Sequence, residues 1–407
     1  MTNVIGLECV VCGRHYPPSD IWTCPNCGQA GILDVRYAAT ARFTAADLAE
    51  RPHDLWRYQE LLPITATSQL PPLQVGWTPL YQAPRLAREL RIKQIWVKDE
   101  GRNATASFKD RASVIGVARA LASGAKTIAC ASTGNAASSL AGIAASVGLP
   151  AVIFVPEHAP DPKLAQILLF GATVIRVQGN YDQTWELCQE ACAHFGWYNR
   201  NAAVNPYLIE GKKTAGHEIA EKLGPEIPDW IAVAVGDGCT IAGVWKGLCE
   251  MRQLGFIPRL PRLLGVQAEG ANAIAAAFFS GKAPTPAPAA TMADSIAVGA
   301  PRNWRKALRA VSASVGTFIC VSDEEILLAM RVLGRQAAIF AEPAGAAALA
   351  GLAKASKLGL IGTHEQAIVL VTGNGLKDVK SAMRAADKPF TLPPDLRQLI
   401  TFFEKSR

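Results

Sequence analysis

Lys109 stands in the hexapeptide Ala106-Ser107-Phe108-Lys109-Asp110-Arg111, between a strand-like run, Gln94-Ile95-Trp96-Val97-Lys98, and an amphipathic run that opens at Arg111. A lysine at such a junction, behind an aromatic residue, can form a Schiff base with an aldehyde cofactor. Alone it reads more simply as a solvated charge in a first helical turn. Three segments downstream add weight: Ser132-Thr133-Gly134-Asn135, Gly236-Asp237-Gly238-Cys239-Thr240 and Thr372-Gly373-Asn374-Gly375.

Each of the three has a chemical reading beside a plainer one. Residues 236–240 follow a buried strand and precede a helix at Ile241, so their N–H groups and the helix dipole can receive a phosphate. The turn is neither a Walker loop nor a full GxGxxG pattern, which argues against a nucleotide. Asp237 is awkward beside a phosphate and has to point away or be hydrogen-bonded. Ser132, Thr133, Gly134 and Asn135 offer hydroxyls and free amides to a substrate carboxylate, and the Asn135 amide suits a phenolic oxygen; the plainer reading is an N-cap. Thr372 ends a strong strand, and its hydroxyl can bond a ring nitrogen or simply close a turn.

Cys9-Val10-Val11-Cys12-Gly13 and Cys24-Pro25-Asn26-Cys27-Gly28 form a second constellation. Two CxxCG turns can present four thiolates tetrahedrally, which suits a structural zinc ion on Cys9, Cys12, Cys24 and Cys27. Two disulfides are the poorer reading, because the other six cysteines are scattered through an apolar chain and read as reduced thiols in a cytoplasm.

The elements that must position these groups come from hydrophobic patterning. Continuous apolar runs such as Ala151–Val155 and Ile231–Val235 predict parallel strands buried on both faces. Strands are expected at 94–98, 126–131, 150–155, 173–178, 230–235, 263–268, 317–321 and 367–372, with helices between them at 136–147, 181–195, 214–223 and 323–338. This alternation gives an α/β fold with at least one parallel sheet. Residues 1–30 read as a zinc-ribbon-like unit and 31–75 as a linker or arm. Residues 76–400 read as the catalytic region, with a smaller α/β subdomain at about 112–205.

Half of the 407 residues are hydrophobic and 18% are charged, enough apolar surface for a large core and too little charge for extended disorder. The net charge of +7 fits an anionic ligand. No basic cluster with interleaved aromatics suggests nucleic acid. No signal peptide or membrane span is evident. A cytoplasmic protein is expected.

Taken together, Ser107-Phe108-Lys109-Asp110-Arg111, Ser132–Asn135, Val204-Asn205-Pro206-Tyr207 with Glu210-Gly211, Ser322–Ile326, Glu342-Pro343-Ala344 and Thr372–Asp378 resemble the fold-type II pyridoxal-phosphate enzymes, and within them the threonine synthase family. The resemblance spans roughly 76–385 and implies two open twisted α/β domains beside the ribbon, and a homodimer acting on a small amino acid. It implies that Lys109 carries pyridoxal phosphate and then acts as acid–base. Asn135 would contact the ring hydroxyl, Gly236, Asp237, Gly238, Cys239 and Thr240 the phosphate, and Thr372 the ring nitrogen. Ser132, Thr133, Gly134 and Asn135 would receive the substrate carboxylate.

The parent reaction of that family converts O-phosphohomoserine and water to threonine and phosphate. Three departures bear on it: Leu208 stands where the family pattern has arginine, Ala203 where it has serine, and Ala136 where it has threonine. No bidentate anion clamp remains at these positions. Lys212 and Lys213 lie close in sequence and offer a substitute, although the plainer reading of both is a solvated surface. The alternatives are a β-eliminase or β-replacement enzyme acting on serine, threonine, diaminopropionate or a phosphoserine-type substrate, and a non-catalytic, cofactor-binding regulatory protein.

Overall fold

A computed structural model describes residues 3–158, 161–202 and 204–405, so Ala203 lies outside the described residues. In chain order the strands are β1 (Val4–Cys9), β2 (His15–Tyr16), β3 (Leu33–Tyr37), β4 (Leu80–Gln82), β5 (Gln94–Asp99), β6 (Ile128–Ala131), β7 (Ala151–Pro156), β8 (Thr173–Val177), β9 (Tyr198–Asn199), β10 (Trp230–Ala234), β11 (Arg262–Ala268), β12 (Thr317–Val321) and β13 (Gln366–Val371). Each strand expected from an apolar run is present. β10 is buried at every residue, because helices cover both faces of its sheet.

Three sheets form. The largest has the order β12-β11-β10-β13-β5-β4, parallel except for β4, which pairs antiparallel with β5 at the edge. A four-stranded parallel sheet has the order β8-β7-β6-β9, and the ribbon sheet has the order β2-β1-β3. This is the fold-type II arrangement of two α/β layers. In the large sheet the chain runs outward from β10 through β11 to β12, then returns to β13 on the other side of β10. In such sheets ligands bind beyond the carboxyl ends of the strands, where the winding reverses. Lys109 follows β5, Ser132–Asn135 follow β6, Gly236–Thr240 follow β10 and Thr372 follows β13, so all four segments emerge at such ends.

One buried ion cluster sets the start of the helix Lys109–Ala122. Arg111 donates from Nε to Glu100 Oε2 at 2.7 Å and from Nη1 to Glu218 Oε1 at 2.5 Å. Lys98 of β5 donates to Glu218 Oε2 at 2.5 Å and to the Thr78 carbonyl at 2.8 Å. All four ions are 0% exposed, two cations against two carboxylates. A buried pair is stable only when geometry and hydrogen bonds satisfy both partners, and breaking it leaves an uncompensated charge. The cluster therefore fixes the helix that begins with Lys109 against both β5 and the helix Thr214–Leu223.

The ribbon touches both layers. Arg309 donates to the Val10 carbonyl at 2.6 Å and Lys306 to that of Leu33 at 2.7 Å, both from a helix on the large sheet. Tyr207 donates to the Ser19 carbonyl at 2.8 Å, and Arg119 pairs with Asp20 at 2.9 Å. Residues 31–75 carry β3 and a short helix at Ala45–Ala49, and their Arg57 pairs with Glu221 at 2.6 Å. Among the described residues no helix is long and apolar enough to cross a membrane.

Candidate functional site

The Lys109 segment is stitched to the end of β13. Phe108 donates its N–H to the Thr372 carbonyl at 2.9 Å, Ser107 bridges Gly373, and the Asn374 N–H donates to the Ala106 carbonyl at 3.1 Å. Ala106 has φ +67°, a left-handed conformation that strains any residue with a Cβ, by roughly 1–3 kcal/mol. Asp110 holds the turn by accepting from the Thr105 N–H at 2.6 Å and the Thr105 hydroxyl at 2.5 Å. Burial lowers the Lys109 ammonium to about 8; Lys212 and Arg200 push the same way, and Glu342 opposes them.

Asn135 begins the helix Asn135–Ala145, after Gly134 at its N-cap. Its Nδ2 donates to Glu342 Oε1 at 2.7 Å and to the Ser295 hydroxyl at 3.1 Å. Glu342 also donates its N–H to the Gly373 carbonyl at 3.1 Å, and a Cβ on Gly373 would collide with the Glu342 carboxylate. Burial raises Glu342 to about 7, against the pull of Lys109 and the Asn135 bond. The sequence marks Glu342 only as part of Glu342-Pro343-Ala344; the fold sets it between Asn135 and the β13 turn. Thr133, Gly134, Asn135, Ser138 and Lys377 line a cavity of about 210 Å³ beside it, and Ser132 accepts from the Gly134 N–H at 3.2 Å.

At the opposite side, Gly236–Thr240 lead into the helix Cys239–Gln253. Gly238 has φ +90°, and a Cβ there would meet Ala307 Cβ at 2.8 Å; one on Gly236 would meet Ile296 Cα at 3.0 Å. The Asp237 carboxylate accepts from the Arg302 N–H at 2.9 Å, which removes the conflict that the sequence raised. Cys239 is buried, and Thr240 is half-buried in the first helical turn. Asn303, which donates its N–H to the Asp237 carbonyl at 3.2 Å, is 1% exposed, and both polar atoms of its side chain lack a partner.

This arrangement fits an anionic aldehyde cofactor. A tight glycine turn, a 15-residue helix N-terminus, an orphaned buried amide and the nearby cations Lys212 and Arg200 all favour a phosphate at one end. A lysine with a lowered pKa stands between that end and the polar group of Asn135, Glu342 and Thr372. The expected residues Lys109, Ser132 to Asn135, Gly236 to Thr240 and Thr372 thus converge. Cys9, Cys12, Cys24 and Cys27 do not join them; they cluster in the ribbon, with all four sulfurs within 4.8 Å of one another.

The family of pyridoxal-phosphate dependent enzymes matches residues 72–373. The chain is 38% identical to a threonine synthase from Methanocaldococcus jannaschii, over 96% of this chain and 98% of that one. It is 40% identical to a threonine synthase from Methanosarcina acetivorans, over 94% and 95%. A likeness of fold extends to holo diaminopropionate ammonia lyase from Escherichia coli, with a TM-score of 0.66, 21% identity, and coverage of 86% of this chain and 93% of that one.

The raised pKa of Glu342 makes stability depend on pH. Its folded value of about 7 lies above the ordinary 4.5, so the folded chain keeps a proton that the unfolded chain has lost. Stability therefore falls as pH rises from about 4.5 through 7. Glu342→Gln removes this term while keeping an acceptor for Asn135. In denaturant unfolding of the cofactor-free protein, the variant should gain roughly 2–3 kcal/mol on the parent between pH 5 and pH 8. A difference that does not change with pH would contradict the assignment.

Proposed function

The chain belongs to the threonine synthase family of fold-type II pyridoxal-phosphate dependent lyases, and we propose that it converts O-phosphohomoserine and water to threonine and phosphate. The observation that carries this reading is the identity of about 40% with a threonine synthase over 94% of the chain, well beyond the cofactor motifs. In this reading the turn Gly236–Thr240 holds the cofactor phosphate through backbone N–H groups. Lys109 is the attachment point, Asn135 faces the ring hydroxyl and Thr372 the ring nitrogen. When bound, pyridoxal phosphate supplies an electron sink conjugated with the substrate Cα.

The chain supplies binding and proton transfer. Ser132 to Asn135 bind the amino-acid carboxylate at the start of a helix, where free N–H groups and the dipole favour an anion. Lys109, with its ammonium lowered to about 8, takes a proton from Cα and returns one there at the end of the reaction. Thr372 presents a hydroxyl rather than a carboxylate, so it need not keep a ring nitrogen protonated, which favours elimination and replacement over transamination. Glu342, raised to about 7, changes charge near neutrality and can share a proton with the groups around Asn135. The atoms balance when Cα and Cβ each give up a proton, the γ-phosphate leaves, Cγ gains a proton, and water places its OH on Cβ while Cα regains a proton.

A second reading, β-elimination from serine, threonine or a related amino acid, is favoured by Leu208, an apolar residue where the family pattern has arginine. Steady-state assays on O-phosphohomoserine, serine, threonine and phosphoserine separate the two. Threonine and phosphate released in equal amounts, with O-phosphohomoserine giving the highest kcat/KM, is the expected result. Turnover of serine or threonine to ammonia, with none from O-phosphohomoserine, would overturn the first reading in favour of the second.

We also propose that Cys9, Cys12, Cys24 and Cys27 hold one zinc ion in a structural role. Tetrahedral thiolates about 2.3 Å from zinc stand roughly 3.8 Å apart. Cys12 Sγ and Cys24 Sγ are 3.7 Å apart. A Cβ on Gly31 would meet Cys24 Cβ at 2.6 Å and Cys27 Cβ at 2.7 Å, so the residue closing the cluster has to be small. Metal analysis should find about one zinc per chain, lost in a Cys24→Ser, Cys27→Ser double variant whose N-terminal segment becomes protease-sensitive. A metal-free protein with a protease-resistant N-terminus would refute the site.

A further inference from the structure

Lys212 and Arg200 are interior cations for which, among the described residues, no carboxylate forms an ion pair. Lys212 ends the short helix Leu208–Lys212 and is 2% exposed. Burial lowers its pKa; the Cys239 thiol and, more weakly, the Asp237 carboxylate counter this, and the Arg200 charge adds repulsion. Arg200 is 1% exposed, and among the described residues its guanidinium donates only to the Ser113 hydroxyl, from Nε at 3.2 Å and Nη2 at 3.0 Å.

The neighbouring lysine gives the contrast. Lys213, equally buried, pairs with Glu210 at 2.7 Å and Glu250 at 2.8 Å. Arg111 is likewise matched by two carboxylates. Where this fold buries a cation for structure, it supplies the anion. An unmatched buried charge is unfavourable and calls for a partner from outside the chain.

Lys212 meets Cys239 at the end of the glycine turn, and Arg200 lies beside Leu208 within electrostatic reach of Cys239. A Cβ on Gly243, in the first turns of the helix Cys239–Gln253, would meet Lys212 Cβ at 2.8 Å. A Cβ on Gly116 would meet Leu208 Cδ2 at 3.0 Å and Arg200 Cγ at 3.6 Å. Leu208 and Lys212 are four residues apart and therefore share one helix face. Lys109 feels both charges.

We propose that Lys212 and Arg200 together hold a phosphate dianion beside the turn Gly236–Thr240. Two sources share this chemistry: the cofactor's own phosphate, and the phosphate ester of the substrate. The second source rests on the function proposed above; the first does not. An ammonium and a planar guanidinium on two different elements would then do the work of the single arginine absent at Leu208.

The test uses Lys212→Gln, Arg200→Gln and Lys212→Arg in the full chain. One arm titrates cofactor-free protein with pyridoxal phosphate and with pyridoxal, which lacks the phosphate. The other follows the holoenzyme's absorbance against inorganic phosphate, O-phosphohomoserine and serine. The Gln variants should lose about tenfold to a hundredfold in phosphate-dependent affinity in at least one arm. Pyridoxal and serine should bind as before, and Lys212→Arg should retain most of the affinity. A loss in the first arm identifies the cofactor phosphate; a loss in the second identifies the substrate's. Inorganic phosphate reads the second arm even if O-phosphohomoserine is not the substrate. The unliganded Gln variants should melt at or above the parent's temperature, because an unmatched charge is gone. Unchanged phosphate affinity in both arms, equal losses for pyridoxal and serine, or a lowered melting temperature would each overturn the proposal.

Discussion

The four-ion cluster of Arg111, Glu100, Glu218 and Lys98 is the constraint on which the site depends. It lies two residues beyond Lys109, is fully buried and is neutral as a whole. Each carboxylate accepts from Arg111, and Lys98 ties the group to β5. Losing one member would strand a buried charge, at about 3–5 kcal/mol. The cluster therefore keeps the Lys109 turn in one place, and the hydrogen bonds from Phe108 and Asn374 across to Thr372 and Ala106 hold that turn against β13. Strain at Ala106 is tolerated because both flanks are fixed.

Beyond Lys109 the electrostatics reverse. Lys109, Lys212 and Arg200 crowd together; the groups that oppose their charge include the Cys239 and Cys130 thiols, the carboxyls of Asp237 and Asp110, and a carboxyl at Glu342 raised to about 7, none of them in an ion pair with Lys212 or Arg200 among the described residues. A matched cluster next to an unmatched one divides structure from function within a few residues. The first supplies rigidity. The second leaves positive potential where the glycine turn and helix N-terminus already favour an anion. The ribbon, bonded to both α/β layers, adds a brace between them.

Much of this was legible in the sequence. Continuous apolar runs gave the strands, because a sheet covered on both faces leaves no alternation to obscure them. The turns at 132–135, 236–240 and 372–375 were legible because glycine and hydroxyl residues cluster at the ends of those runs. Other features depend on contacts far apart in the chain. β4 and β9 are short edge strands with no pattern of their own. Lys212 reads as a surface charge in Gly211-Lys212-Lys213 until the helix that begins at Cys239 is seen to pack over it. Arg200 carries no local signal, since its burial comes from Gly116 and Ser113, more than 80 residues earlier. Asp237 looked incompatible with a phosphate because its partner, the Arg302 N–H, is 65 residues away.

The site thus holds two buried lysines of lowered pKa near one another, Lys109 proposed as the cofactor's attachment point and Lys212 as a phosphate ligand. Borohydride reduction of the holoenzyme, followed by digestion and mass spectrometry, tells them apart directly. The assignment of Lys109 as the attachment point requires a pyridoxyl group on the peptide that contains Lys109 and none on the peptide that contains Lys212. A label on Lys212 would contradict it.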